Sequence, residues 1–308
     1  MARKVLMDAN PGNDDPLALM MLAAQPDIDL VALATVAGNV PADVTARNAL
    51  DLVAYLGLDI PVAQGSVPLL APYERLSASL MGPRGLGAAE LPHAEGTLSS
   101  LPSAELIWQM LCRYPHELEI LATGPLTNLA LLIRLHPEAP RLVKRLVLMG
   151  GSRFGGNTSP AAEFNIHTDP EAAHIVFSSG APLSMVGLEV GYDHRLKRDN
   201  FARLATCAPR IGAFAGQLFF YPGTPEHTLS ERGWPVFDSL AAAVLIDPEA
   251  AETADWFVDV ETRGELTYGE TVVDEKGRLG KDPQTKVVLG FPHGRYLELL
   301  AQSLKALD

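Results

Sequence analysis

Apolar residues in this chain fall into short unbroken runs. Each run ends in a polar or glycine-rich break, and helical spacing follows. The first run, Val5 to Met7, predicts a buried strand. Pro11 and Gly12 break it, and Leu17, Leu19, Met20, Leu22 and Ala23 then recur as on one side of a helix. Ile28 to Val36 predicts a second strand, ending at Ala37-Gly38-Asn39. A helix is expected from about Ala42 to Tyr55, then a short third strand over Ile60 to Gly65. Strand and helix alternating at this spacing predict a parallel sheet with crossover helices.

The alternation is interrupted once, from Ser66 to Ser100. Pro, Gly, Ser and Ala dominate there, and the expectation is a binding loop beside the site. It then resumes. Leu106 to Leu111 predicts a helix, Leu118 to Ala122 a strand, Thr123 to Asn128 a loop opening a helix, and Leu146 to Met149 a strand. The glycines from Gly150 to Gly156 lack the spacing of a phosphate loop, and no Gly-Lys-Ser/Thr follows them. A helix is expected at Asp169-Pro170, with Pro in the favoured first position. A strand follows over Leu183 to Leu188, and helical patterns over Asn200 to Tyr221 and from Phe237 to Leu245. β-patterned runs lie between Trp256 and Phe291, and a closing helix runs from about Arg295 to Leu304. The expected architecture is one α/β domain over 1–308, with a mostly parallel central sheet and helices on both faces.

Composition narrows the partners. The formal net charge is −13, and no Lys/Arg-rich run is present. Nucleic acid and anionic membrane are therefore not expected as partners. The longest apolar stretch is interrupted at Gln25-Pro26-Asp27, so no membrane span is expected. No apolar signal segment precedes the first strand, and the chain reads as cytoplasmic. Cys112 and Cys207 are far apart and have no metal-like spacing; both are expected to be buried thiols.

The chemistry is concentrated where strands end. Asp8, Asn10, Asn13, Asp14 and Asp15 crowd the first strand-to-helix corner. One Asp there is explained by capping the helix. Three carboxylates around two amides repel one another unless a cation or proton compensates, and a hard cation with oxygen ligands suits them. Asn39, Thr123, Asn128, Asn157, Glu163, Asn165 and Asp238 follow other strands. In a parallel sheet these positions share the carboxyl edge, where ligands of open α/β sheets bind.

The motifs carry a resemblance. Asp8-Ala9-Asn10-Pro11-Gly12-Asn13-Asp14-Asp15 is similar to the Asp-x-Asp-Pro-Gly-x-Asp-Asp opening of the inosine–uridine-preferring nucleoside hydrolases. Val36 to Asn39, Thr123 to Asn128, Leu148 to Gly151, Ala162 to Asn165, Asp169 to Ala173, Met185 to Leu188 and Gly264 to Gly269 also resemble that family. The resemblance implies calcium held by Asn10, Asp15, the Thr123 carbonyl and Asp238. It implies ribose held by Asp14, Asn39, Asn157, Glu163 and Asn165, with Asp8 supporting the site from behind. It further implies a homo-oligomer, dimer or tetramer, and hydrolysis of a ribonucleoside N-glycosidic bond through an oxocarbenium-like transition state.

The departures from the family concern the reaction itself. Asn10 stands where the family has its catalytic-base Asp, and an amide accepts no proton at neutral pH; Asp14 or Asp15 is the candidate substitute base, although the resemblance already gives each another role. Phe237 replaces a His suited to protonating the leaving group. Met81 stands near another such His, and Glu189-Val190-Gly191-Tyr192-Asp193-His194 departs from the family pattern. His227 and Tyr221 are candidate replacement acids. Two readings stay open: a working hydrolase with altered chemistry, and a catalytically impaired nucleoside- or ribose-binding relative. A phosphatase-type reading of Asp8-Ala9-Asn10 is weaker, because it needs an Asp at position 10.

Overall fold

The computed structural model describes residues 2–68, 81–220 and 233–308. Among these described residues nine strands form one sheet: β1 (Arg3–Ala9), β2 (Ile28–Thr35), β3 (Val62–Ala63), β4 (Leu118–Ala122), β5 (Arg145–Met149), β6 (Leu183–Val186), β9 (Glu252–Val260), β10 (Thr271–Asp274) and β11 (Thr285–Gly290). Their order is β10-β9-β11-β6-β5-β4-β1-β2-β3. Every pairing from β11 across to β3 is parallel, and β9 and β10 extend one edge in antiparallel fashion. A separate antiparallel ribbon joins β7 (Arg195–Leu196) and β8 (Trp234–Pro235).

The unbroken apolar runs follow from burial on both faces. In β1, Val5, Met7 and Ala9 pack toward one core and Leu6 toward the other. In β5, Val147 and Met149 face the first core while Leu146 and Leu148 face the second. Helices Asp15–Ala23, Pro209–Leu218, Asp238–Ile246 and His293–Leu307 cover the first face. Helices Ser103–Arg113, Thr127–Leu135 and Pro170–Phe177 cover the second.

Strand order reverses between β1 and β4. From β1 the chain steps outward to β2 and β3, while β4, β5 and β6 extend the other way. The loops leaving β1 and β4 separate there and open a crevice at the carboxyl edge. Asn10 and Thr123 lie in those two loops.

Some expectations need correction. The third strand shrinks to Val62–Ala63, because Pro61 lacks the N–H that a strand interior needs. The expected helix from Asn200 is two helices, Arg198–Cys207 and Pro209–Leu218, separated at Ala208 by the proline that starts the second; Tyr221 lies outside the described residues. Cys112 and Cys207 are exposed. Leu111 and Leu204 take the buried sides of their helices, which turns both thiols toward solvent. Among the described residues no helix is long and apolar enough to cross a membrane.

Candidate active site

A cavity of about 330 Å³ opens at the strand-order reversal. Asn10, Asp14, Asn39, Thr123, Asn157, Glu163, Asn165, Phe237 and Asp238 all line it, as do Asn13 and Met81. Residues from the ends of β1, β2, β4 and β5 thus meet with the start of the helix Asp238–Ile246. Asp8 and Asp15 are buried and do not line the cavity. His227 lies outside the described residues.

Each buried carboxylate is held differently. Asp15 accepts from the Gly12 N–H at 3.0 Å and the Thr123 hydroxyl at 2.8 Å. Asp14 occupies the N-cap position of its own helix but does not cap it. Its carboxylate crosses to another helix, accepting from the N–H groups of Phe237 (2.5 Å) and Asp238 (2.9 Å) and from Ser239 Oγ (2.9 Å). Glu163 caps the short helix Phe164–Thr168 through the Asn165 and Ile166 N–H groups and also accepts from the Gly151 N–H. Asp8 accepts from Asn128 Nδ2 at 2.8 Å, and that same nitrogen donates to the Thr35 carbonyl. Asp238 differs: no described residue donates to its carboxylate, which borders the cavity.

Burial raises the pKa values throughout. Desolvation lifts Asp8 and Glu163 to about 7 and Asp15 to about 6. Asp238 is raised by burial and then by the charges of Asp15, Asp14 and Glu163. Two other buried carboxylates are treated differently. Glu119 pairs with Arg3, Lys144 and Arg145 and falls to about 2. Asp51 pairs with Arg47 and Arg84. The carboxyl edge gathers acids without such partners among the described residues.

Position 10 explains part of what the substitution does. If the Asn10 amide oxygen points at the Thr123 carbonyl, two acceptors face each other. Turned over, Nδ2 donates to the Thr123 carbonyl at 3.1 Å and Oδ1 accepts from the Asn39 N–H at 3.0 Å. A carboxylate here would serve the Asn39 N–H with one oxygen and a cation with the other. The amide has one oxygen for both tasks. Asn165 Nδ2 also donates to the Thr123 carbonyl at 3.0 Å. Asn10 is tightly enclosed: a Cβ on Gly38 would lie 2.9 Å from its Cγ.

The donor set of Asp15, Asp238, the Thr123 carbonyl and the Asn10 amide is all oxygen and fits a hard cation. It offers two carboxylates, and among the described residues no three His, Cys, Asp or Glu side chains are grouped for a metal.

Sequence reading missed the rim. Arg195 and Trp234, on the β7–β8 ribbon, line the cavity. Two-residue strands carry no periodic signal. Two departures from the family meet beside the ribbon, in the helix Leu188–Asp193 and at Phe237. A Cβ on Gly191 would lie 2.1 Å from Phe237 Cδ1, so the glycine makes room for the phenyl ring.

Residues 5–298 match the family described as inosine-uridine preferring nucleoside hydrolase. The pyrimidine-specific ribonucleoside hydrolase RihA of Citrobacter koseri is 37% identical, covering 99% of this chain and 98% of its own. The RihA of Shewanella baltica is 36% identical, covering 100% of this chain and 98% of its own. A plant nucleoside hydrolase superposes with a TM-score of 0.92 at 28% identity, and a purine-preferring ribonucleoside hydrolase from Gardnerella vaginalis with 0.91 at 29%; both cover 99% of each chain. The chain therefore belongs to the inosine–uridine preferring nucleoside hydrolase family, enzymes that hydrolyse the N-glycosidic bond of ribonucleosides to ribose and free base.

Proposed function

We propose that this chain cleaves ribonucleosides at the carboxyl-edge cavity, with calcium held by Asp15, Asp238, the Thr123 carbonyl and, in competition with the Asn39 N–H, the Asn10 amide. The observation that carries this reading is the cluster of buried acids without partner cations, Asp14, Asp15, Glu163 and Asp238, in contrast to Glu119 and Asp51, which are paired with Arg and Lys side chains. Negative charge around the sugar favours the positive charge that develops at C1′. When bound, calcium would hold and acidify a water.

The chain's own groups do the rest. Asp14, Asn39, Asn157, Glu163 and Asn165 line the cavity and suit ribose hydroxyls, which both donate and accept. Asn10 takes no proton from the attacking water. Asp238 is the carboxylate best set to take it, since Asp14, Asp15 and Glu163 already accept hydrogen bonds from the protein. Phe237 packs edge-on against Tyr192, ring centroids 5.5 Å apart, and offers the base an apolar wall. Pyrimidine ribonucleosides are the first substrates to try, in line with the name of the relatives at 36–37% identity.

The test is single-turnover hydrolysis of uridine, inosine and 2′-deoxyuridine with calcium present, alongside calcium calorimetry on parent and Asp15→Ala. Base release from the ribonucleosides is expected, at least about 100-fold faster than from the deoxy analogue, with calcium heat lost in the variant. Equal rates on both sugars would overturn the ribose site. A second reading rests on Asn10 alone: ribonucleosides bind with the same sugar preference, yet no base is released.

A further inference from the structure

The lining of the cavity includes a cation. Among the described residues that line the cavity, Arg195 is the only one with a positive charge, and it shares that lining with the carboxylates Asp14, Glu163 and Asp238. It is half-buried on β7. Nε donates to the Tyr192 carbonyl and Nη1 to the Gly233 carbonyl, each at 3.1 Å. The guanidinium lies over the Tyr192 ring, 5.5 Å from its centroid, and Phe237, which also lines the cavity, packs edge-on against that same ring. Nη2 donates to no described residue.

Cleaving C1′–N leaves an electron pair on the base. The usual remedy is a proton, but Phe237 has none to give, and no His lines the cavity among the described residues. A fixed positive charge is the other remedy. Arg keeps its charge at any working pH and presents a planar fork of donors, suited to a carbonyl oxygen beside a nitrogen anion.

We propose that Arg195 binds the departing base and stabilises it as an anion, which makes this site selective for oxo bases. The proposal rests on the N-glycosidic hydrolase reading above. In the step, the C1′–N bond breaks and both electrons go to the base nitrogen. The oxygen of water bonds to C1′, and its proton passes to a cavity carboxylate. The base leaves as an anion whose charge is shared with a carbonyl oxygen held by Arg195, and it takes a proton from solvent afterwards. Uracil-type and oxopurine bases meet this requirement. Adenine has no carbonyl and does not.

The experiment compares parent, Arg195→Gln and Arg195→Lys on p-nitrophenyl riboside, 5-fluorouridine, uridine and adenosine, reading kcat/KM against leaving-group acidity. Nitrophenolate departs without help and reports the sugar site alone. Arg195→Gln is expected to lose about 100-fold or more on uridine, less on 5-fluorouridine, and under about 5-fold on p-nitrophenyl riboside. The slope against leaving-group pKa should steepen. Arg195→Lys and added guanidinium should each restore part of the uridine rate. An equal loss on all substrates would mean that Arg195 only supports the ribbon through Tyr192 and Gly233, and would overturn the proposal. So would an unchanged slope, or a parent that prefers adenosine. If the parent cleaves p-nitrophenyl riboside but no nucleoside, the leaving-group role fails while the sugar site stands. If it cleaves neither, the hydrolase reading itself fails and this proposal with it.

Discussion

Asn10 shows how far one amide changes a site built for carboxylates. Its oxygen is claimed by the Asn39 N–H, and its nitrogen has a ready acceptor in the Thr123 carbonyl. Exchanging one carboxylate for another separates the roles of the two acidic positions. Asn10→Asp is expected to raise single-turnover hydrolysis by about 100-fold and to tighten calcium binding. Asp238→Asn alone should abolish turnover. Asn10→Asp combined with Asp238→Asn keeps the number of carboxylates and moves one from position 238 to position 10. If Asp238 is the proton acceptor of the parent, the double variant should recover much of the rate lost in the single one. A double variant as inactive as Asp238→Asn, in calcium sufficient to load it, would show that Asp238 is needed for something other than the proton.

Elements were legible in the sequence to different degrees. The strands could be read because both faces of each are buried, which writes them as unbroken apolar runs. Their shared edge then gathered Asn10, Asn39, Thr123, Glu163, Asn165 and Asp238 by topology alone. The β7–β8 ribbon was not legible, since two residues per strand leave no period, and Arg195 was missed with it. Nor could sequence show that Asp14 anchors a helix beginning more than two hundred residues later. That anchor is measurable. Asp14→Ala leaves the Phe237 and Asp238 N–H groups and the Ser239 hydroxyl without their acceptor, and should destabilise the fold by about 1–2 kcal/mol. Asp14→Asn retains one acceptor oxygen and should cost less in chemical denaturation. Equal stability of parent and Asp14→Ala would show that the helix start finds other partners.

Across the whole molecule, acids at the two edges of the sheet titrate in opposite directions. At the edge where the strands begin, Glu119 sits below its ordinary pKa beside Arg3 and Arg145. Its contribution is present above the unfolded value and is lost only as pH falls toward about 2. At the carboxyl edge the sign reverses. Asp8 and Glu163 at about 7 and Asp15 at about 6 hold protons more tightly folded than unfolded. Stability from these groups is full below the unfolded carboxylate range near pH 4, and it is lost as pH rises through about 6 to 7. Each such group contributes a slope of at most about 1.4 kcal/mol per pH unit in that window. Chelator-treated protein is therefore expected to melt at a higher temperature near about pH 5.5 than near about pH 8. Asp8→Asn keeps an acceptor for Asn128 and removes one titrating group, so its melting temperature should fall less across the same interval. Calcium added at the higher pH should recover stability in the parent, because a bound cation replaces the missing protons. The measurement is thermal melting with and without chelator across that range. A melting temperature that rises with pH in chelator would mean that these acids are compensated by charges other than protons or calcium, and the reading of an edge without partner cations would be wrong.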